Sequence, residues 1–181
     1  MISTDLETIR TRADARRAEF DALCDRLQAD DTIDDAELDA RIDAIAQPII
    51  AAIDCTACAH CCRTAQVALT PRDVARLARG LDTTPTAIIA DYVDRAAGKA
   101  VGEWGVMRAS PCPFLKGKLC SIYAHRPESC ALYPQFTPDF RWTLAHTIDG
   151  AGACPIIYNV LAAVVDATSP AFGKTDAGDV K

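Results

Sequence analysis

Residues 55–62 contain four cysteines in the order Cys-x-x-Cys-x-x-Cys-Cys. The two-residue spacers between Cys55, Cys58 and Cys61 allow one turn of backbone to aim successive sulfurs at one point. Metal–thiolate knuckles and iron–sulfur loops use this spacing. The adjacent Cys62 is expected to point elsewhere and to serve a second metal atom. Apolar packing of reduced cysteines gives no reason for such spacing, so the stretch indicates metal chemistry.

Four further cysteines follow at wider intervals, at positions Cys112, Cys120, Cys130 and Cys154. Together the eight make two sets of four, and four thiolates complete either a tetrahedral zinc site or the irons of one cubane cluster. The count allows two zinc ions, two clusters, one of each, or one cluster with four supporting thiols. The ninth cysteine, Cys24, is far from the others and is predicted to be a buried helix residue.

Composition and charge exclude several classes of protein. The chain has 181 residues, a net charge of −6 and a pI near 5.0, which argues against a nucleic-acid surface because phosphates require a basic stripe. No apolar run reaches the roughly 18 residues of a membrane helix, and the N-terminus lacks the pattern of a signal peptide. These features predict a reducing cytoplasm, where nine cysteines indicate metal or redox chemistry rather than disulfides.

Helical patterns dominate the regions outside the cysteines. Residues 4–28 have helical apolar spacing, and Asp34 with Glu37 resembles a capping box that opens a second helix containing Pro48. Thr-Pro pairs and downstream glycines predict helices over 70–80 and from 84 to near 98. A last helix is expected over 156–165.

Extended structure is predicted only in short pieces. Residues 67–69 form a marginal strand, residues 104–107 are extended, and Lys116-Gly117-Lys118 makes a tight hairpin turn that brings Cys112 and Cys120 together. Residues 140–146 have a strand-like mixture of aromatic and β-forming side chains. The expected fold is therefore mainly α with a short β hairpin and a small loop-rich metal-binding core held by cysteine ligands. The predicted division is a helical extension packed on the core (1–49), a cysteine-cluster domain (50–166) and a disordered tail (167–181).

The cysteine pattern continues into a longer motif. After Cys-x2-Cys-x2-Cys-Cys come Cys-Pro-Phe-Leu, then Cys-x-Ile-Tyr-x-x-Arg-Pro-x-x-Cys-x-x-Tyr-Pro, and a final cysteine. This motif resembles the bacterial YkgJ-like cysteine-cluster family, a zinc- or iron-chelating domain, over residues 50–158. The resemblance implies that all eight cysteines are metal ligands, namely Cys55, Cys58, Cys61, Cys62, Cys112, Cys120, Cys130 and Cys154. Ala131 departs from the basic residue that the family often carries there.

The expected function is metal binding. Three thiols at successive x2 spacings plus a distant cysteine resemble the cluster-binding run of bacterial ferredoxins, and no second isolated Cys-x2-Cys exists. An iron–sulfur cluster, most simply 4Fe–4S, with a redox, sensing or metal-handling role is therefore favoured over zinc. The alternatives are a structural zinc protein or a metal-dependent modifying enzyme, since flagellin lysine methylases carry a related motif. The sequence leaves enzymatic activity and a protein partner open.

Side chains near the cysteines are candidates for supporting roles. Arg126 and Tyr123 are predicted to contact the cofactor, because thiolate-bound metals are negative and need surrounding donors. Arg63 is a weaker candidate of the same kind. His60 and His125 are expected to be supporting or exposed residues rather than ligands. The aromatic rings of Phe114, Tyr123 and Tyr133 are expected to keep water from the site.

Overall fold

A computed structural model of the chain describes residues 2–168, most of which are helical. In chain order the helices are α1 Leu6–Ala15, α2 Arg17–Ala29, α3 Asp35–Ala52, α4 Cys55–Cys58, α5 Cys61–Thr64, α6 Pro71–Gly80, α7 Pro85–Tyr92, α8 Arg95–Ala100, α9 Glu128–Leu132, α10 Phe140–Asp149 and α11 Pro155–Thr168. The strands are β1 Ala68–Leu69, β2 Val93–Asp94, β3 Gly105–Met107, β4 Leu115–Lys116 and β5 Leu119–Cys120. This confirms the predicted mainly α fold with a short hairpin. No helix in this range is both long and apolar enough to cross a membrane.

The described chain forms two compact units. The helical unit comprises the residues up to Asp54 together with those from Phe136 onward, and the cysteine unit is the continuous segment Cys55–Gln135. The sequence-based division into a helical extension, a cysteine-cluster domain and a tail, at 49/50 and 166/167, stays a prediction. Residues 167 and 168 end α11, and the rest of the predicted tail lies outside the described residues.

The core of the helical unit is built from one apolar face of each of five helices, α1, α2, α3, α10 and α11. Ile9, Phe20 and Leu144 are fully buried there, and Phe20 meets Tyr158 edge to face with ring centroids 6.5 Å apart. Cys24 is buried in this core, where Gln28 donates to its sulfur at 3.4 Å. The expectation that Cys24 is a buried helix residue agrees with this packing.

Arg141, on α10, is buried and binds the loop between α2 and α3. Its guanidinium donates to the carbonyl oxygens of Leu27, Asp30 (2.6 Å) and Ile33 (2.6 Å), and to the carboxylate of Asp35 at 2.6 Å. The planar guanidinium of Arg141 thus supplies hydrogen-bond donors to backbone carbonyls that local secondary structure leaves without a partner.

The predicted strand over residues 140–146 is wrong, because these residues belong to α10. The buried side chains Phe140, Leu144 and Ile148 recur every four residues, which is a helical period. The helix also begins on a long-range cap: the Asp39 carboxylate accepts the backbone N–H groups of residues 139 and 140 at 2.8 and 3.0 Å. This cap comes from α3, about a hundred residues away, and no local sequence pattern indicates it.

Two further helix predictions need correction at their boundaries. The helical pattern over 4–28 is interrupted at Arg16, whose side chain pairs with Glu19 and Asp166. The helix predicted from 84 to near 98 is divided by β2. Other signals were read correctly: Asp34 accepts the N–H of Glu37 at 2.7 Å to start α3, and Pro48 lies inside that helix.

The cysteine unit has its own apolar core beneath a three-stranded antiparallel sheet in the order β1-β3-β2. Leu69, Leu77 and Ile88 are fully buried in it. The helix α8 lies very close to β3, since a Cβ on Gly98 would stand 2.4 Å from the Cα of Gly105. Only glycine permits that approach. The separate β4–β5 hairpin carries the second cysteine group.

The position of Arg141 predicts a large effect on stability. Replacing it with Leu removes the partner of three backbone carbonyls, and we expect a loss of about 2–4 kcal/mol in the free energy of unfolding. The matched control is Arg41→Leu, because Arg41 pairs with Glu37 on the exposed surface of α3 and its loss should cost about 0.5 kcal/mol or less. Urea unfolding followed by circular dichroism measures both. Equal losses in the two variants would contradict the role given to Arg141.

Asp35 makes the same contact sensitive to pH. Hydrogen bonds from Arg141 and then Trp142 lower the pKa of Asp35. The stabilisation is therefore present above the pKa of the unfolded carboxyl, about 3.9, and is lost as the pH falls through the lower folded value. We expect Asp35→Asn to be less stable than the wild type at pH 7 and equally stable in strong acid. A stability difference that persists unchanged in urea titrations at pH 2 would refute this linkage.

Candidate metal centre

The Cys-x-x-Cys-x-x-Cys-Cys segment forms two short helical turns joined by a left-handed residue. The first turn is α4 and the second is α5, and between them Ala59 has a φ of 52°. That conformation costs a non-glycine residue about 1–2 kcal/mol, so surrounding contacts must hold it. Ala59 is buried, and its N–H donates to the carbonyl of Cys55 at 3.0 Å.

Arg63 supplies the contact that stabilises this turn. Its Nη1 donates to the carbonyl oxygens of Cys58 and Ala59 at 3.2 and 3.1 Å, and its Nη2 donates to the carbonyl of Gly117 at 2.9 Å. One guanidinium therefore joins the first cysteine segment to the tip of the hairpin 54 residues later. Ser110 adds a bond from its hydroxyl to the carbonyl of Arg63 at 3.1 Å. The sequence suggested Arg63 only as a weak candidate, because all three of its acceptors are backbone carbonyls.

The hairpin then places two more cysteines beside Cys62. The backbone N–H of Cys112 donates to the carbonyl of Cys62 at 2.8 Å. In the β4–β5 ladder, Leu115 is opposite Cys120, and Gly117 takes the left-handed φ of 66° that the tight turn requires. The predicted hairpin is present, and it brings Cys112 and Cys120 into one neighbourhood with Cys62.

Cys130 reaches the same neighbourhood on α9, which a buried carboxylate positions. Asp73 is only 1% exposed; one of its oxygens accepts the N–H of Thr70 at 2.9 Å to cap α6, and the other accepts the N–H of Glu128 at 2.8 Å to begin α9. The hydroxyl of Ser129 donates to the carbonyl of Ala68 at 2.8 Å. Asp73 and Ser129 were both missed from the sequence. The Thr-x-x-Asp pattern shows the cap on α6, but nothing local shows the bond to α9.

We call Cys62, Cys112, Cys120 and Cys130 the four-thiol group. The pKa of Cys130 is raised to about 11, mainly by burial and further by the nearby thiols of Cys112, Cys62 and Cys120. Burial also raises the pKa of Cys112, with Cys62 and Cys120 adding to the effect. A bound cation would favour the thiolate forms of Cys112 and Cys130, because its positive charge offsets the burial and the thiol neighbours that raise their pKa values.

The sulfurs of this group are neighbours rather than a closed coordination shell. Within residues 2–168, no three Cys, His, Asp or Glu side chains converge closely enough to chelate an ion. Ligation by the four-thiol group therefore requires their side chains to turn toward a common point. Their donor chemistry suits zinc or iron, both of which are bound by four thiolates.

The other predicted ligands lie elsewhere in the chain. Cys55 is exposed, whereas Cys58 and Cys61 are half-buried on the two helical turns. Cys154 belongs to the helical unit, where it is buried just before α11 and its N–H donates to the carbonyl of Gly150 at 3.0 Å. Metal ligation by each of the eight cysteines remains a prediction.

The residues predicted to support the cofactor contact one another. The Arg126 guanidinium lies 3.8 Å from the ring centroid of Tyr123 and donates to its carbonyl at 3.0 Å. Tyr123 and Tyr133 are 55% and 41% exposed, and their expected role in keeping water from the site stays a prediction. Phe114 is buried and packs on Tyr92 with centroids 4.9 Å apart, as a water-excluding ring should.

The two histidines near the cysteines have different surroundings. His60 is half-buried between the two helical turns, where its carbonyl accepts from Thr64. The ring of His125 packs against Gly80 so closely that a Cβ at residue 80 would lie 2.7 Å from it. His125 thus has a packing contact at the end of α6, and its expected supporting rather than ligand role stays a prediction.

The fold and the site define a helical protein with a cysteine-rich unit that gathers thiol donors. The chain belongs to the CxxCxxCC family, described as a "Putative zinc- or iron-chelating domain", whose sequence profile matches residues 54–150. That description supports a metal-binding role, and the matched range contains every cysteine of the cysteine unit. No curated protein and no solved structure matches the chain.

The bridge made by Arg63 predicts an effect on metal binding. We expect Arg63→Gln to lower metal affinity by about 10–100-fold, the range for residues that orient ligands. Arg63→Lys should lower it nearly as much, because a single ammonium cannot reproduce the planar fork across three carbonyls. Competition with a chromophoric chelator measures the affinity.

Arg72→Gln is the matched control, since Arg72 is an exposed arginine of the same unit. Its metal affinity should equal that of the wild type. Full rescue by Lys at position 63 would show that Arg63 acts through its charge and would contradict the bridging role.

Proposed function

We propose that this protein binds an iron–sulfur cluster through its cysteines and acts in redox chemistry, sensing or metal handling. The observation that carries the proposal is the four-thiol group, in which Cys62 on α5, Cys112 and Cys120 at the hairpin and Cys130 on α9 meet in one half-buried neighbourhood. When bound, the cluster would supply a redox-active centre held by thiolates. The chain's own residues would bind it, orient it and limit its contact with water.

The spacing of Cys55, Cys58 and Cys61 supports iron–sulfur over zinc. Three thiols at successive x2 intervals are the local part of a cluster-binding run, which is completed by a distant cysteine. Cys62 belongs to the four-thiol group instead. The local triplet of Cys55, Cys58 and Cys61 therefore needs a fourth ligand from elsewhere in the chain. Under this proposal the eight cysteines serve two centres.

Structural zinc is the second candidate, because four thiolates also complete a tetrahedral zinc site. A structural zinc ion takes four ligands, thiolates or imidazoles, leaves no open position, and can join short loop segments. The hairpin, α5 and α9 are such short segments. A cytoplasmic location stays a prediction from the sequence.

Metal and sulfide analysis after anaerobic purification tests the proposal. We expect iron and acid-labile sulfide in equal amounts, about four of each per cluster, with the visible absorption of a thiolate-bound cluster. Cys58→Ser and Cys62→Ser should each deplete metal, but from different fractions if there are two centres. Cys24→Ser is the matched control and should leave metal and spectrum unchanged.

The outcomes separate the candidates. Zinc without sulfide would reject the iron–sulfur centre and support the zinc alternative. Identical losses in Cys58→Ser and Cys62→Ser would indicate one centre. A Cys62→Ser protein that keeps all its metal and its spectrum would remove Cys62 from the ligands.

A further inference from the structure

The helix α9, which carries Cys130, is too short to fix its own position. It has five residues, whereas isolated helices shorter than about 12 residues are marginal in water. Its N-cap residue is Pro127, whose side chain makes no capping hydrogen bond. The place of Cys130 therefore depends on contacts that the rest of the cysteine unit makes with α9.

Two long-range hydrogen bonds hold the first turn of α9. Oδ1 of Asp73, at the start of α6, accepts the N–H of Glu128 at 2.8 Å. The hydroxyl of Ser129 donates to the carbonyl of Ala68, on β1, at 2.8 Å. The carboxylate of Asp73 thus does for α9 what a side chain at its own N-cap position would do.

The segment that leads into α9 is held by the other end of α6. The side chain of His125 packs against Gly80, the last residue of α6, and a Cβ on Gly80 would lie 2.7 Å from it. Pro127, between His125 and Glu128, is buried. The helix α6 therefore holds this segment at two points, one near each of its ends.

The burial of Asp73 makes sense only with both of its contacts. Its Oδ2 accepts the N–H and the hydroxyl of Thr70 at 2.9 and 2.7 Å, which completes the capping box of α6. A capping box needs only that oxygen. Asp73 is 1% exposed, and its second oxygen would be costly to bury without a donor. The N–H of Glu128, two residues before Cys130, is that donor.

We propose that Asp73 is a positioning residue that makes Cys130 a ligand of the metal bound by the four-thiol group. The inference rests on the proposed metal-binding function. The other three thiols are held by different contacts, since Cys112 bonds to the backbone of Cys62 at 2.8 Å and Cys120 lies on the hairpin. Loss of the Asp73 carboxylate therefore withdraws one thiolate of the four.

Titration of the full-length, metal-stripped protein with Co²⁺ tests this role, because the thiolate-to-cobalt absorption grows with the number of sulfur ligands. We expect Asp73→Ala and Cys130→Ser to lose the same part of that absorption and to bind Co²⁺ about 10–100-fold more weakly than the wild type. The double variant should bind no more weakly than Cys130→Ser alone, since Asp73 acts through Cys130.

Alkylation of the metal-stripped protein gives a second readout that does not require bound metal. In Asp73→Ala, we expect iodoacetamide to modify Cys130 about tenfold faster than in the wild type, because α9 opens more often. The rate at Cys112 should be unchanged. Mass spectrometry of the digested protein measures both rates.

Two controls separate this role from helix capping in general. Thr70→Ala weakens the cap of α6 but keeps the bond from Asp73 to Glu128, so it should lower the urea midpoint and keep the wild-type cobalt spectrum. Asp94→Ala is the matched substitution, because Asp94 caps α8 in the same unit by accepting the N–H of Ala97 at 2.8 Å. It should also keep that spectrum.

A second variant breaks the same bond from its other end. Glu128→Pro removes the N–H that Asp73 accepts, and proline is tolerated at the first position of a helix. It should match Asp73→Ala in cobalt absorption and in the alkylation of Cys130, and it decides the question where Asp73→Ala does not fold.

The outcomes distinguish this inference from the proposed function. Wild-type cobalt binding in Asp73→Ala, or in Glu128→Pro, would overturn the positioning role and leave metal binding in place. Additive losses in the double variant with Cys130→Ser, or an equal loss in Asp94→Ala, would show a general effect on stability and would overturn it too. A wild type that holds no metal when purified and takes up no Co²⁺ would reject the proposed function together with this inference.

Discussion

The guanidinium of Arg63 is the contact on which the arrangement of cysteines depends. Its three bonds end the first helical turn of the cysteine segment and attach that turn to the hairpin tip. The acceptors are backbone carbonyls, so the bridge does not depend on which side chains occupy those positions. Without it, the left-handed Ala59 would lose a stabilising neighbour and the two thiol-bearing segments would be joined mainly through the Cys62–Cys112 backbone bond.

Electrostatics explain why such a site needs a frame of neutral and basic residues. Four thiolates brought together repel one another, and burial adds to the free energy of charging them, as the raised pKa of Cys130 indicates. The stretches around the cysteines accordingly contain no Asp or Glu between Glu103 and Glu128 and none from Cys55 to Arg72. The buried Asp73 is an exception nearby, but its oxygens are occupied by backbone N–H groups.

The sequence predicts those parts of the fold that are stabilised by contacts between residues close together in the chain. The caps at Asp34 and Thr70 and the Gly117 turn were read correctly, because each is a local contact between near neighbours. The helix α10 was mistaken for a strand because its cap comes from Asp39 on another helix. The spacing of the cysteines is likewise local, and it indicated metal binding. The grouping of Cys62 with three distant cysteines, and the roles of Asp73 and Arg141, depend on long-range contacts that only the tertiary structure shows.

The order of the two units along the chain has a consequence for biosynthesis. The cysteine unit is one continuous segment, whereas the helical unit is completed only by α10 and α11, which follow it. A ribosome therefore releases all seven cysteines of residues 55–130 before the residues that close the helical core. At about 5–20 residues per second, this gives the nascent cysteine unit a few seconds to fold and load metal while α1 to α3 still lack their partners.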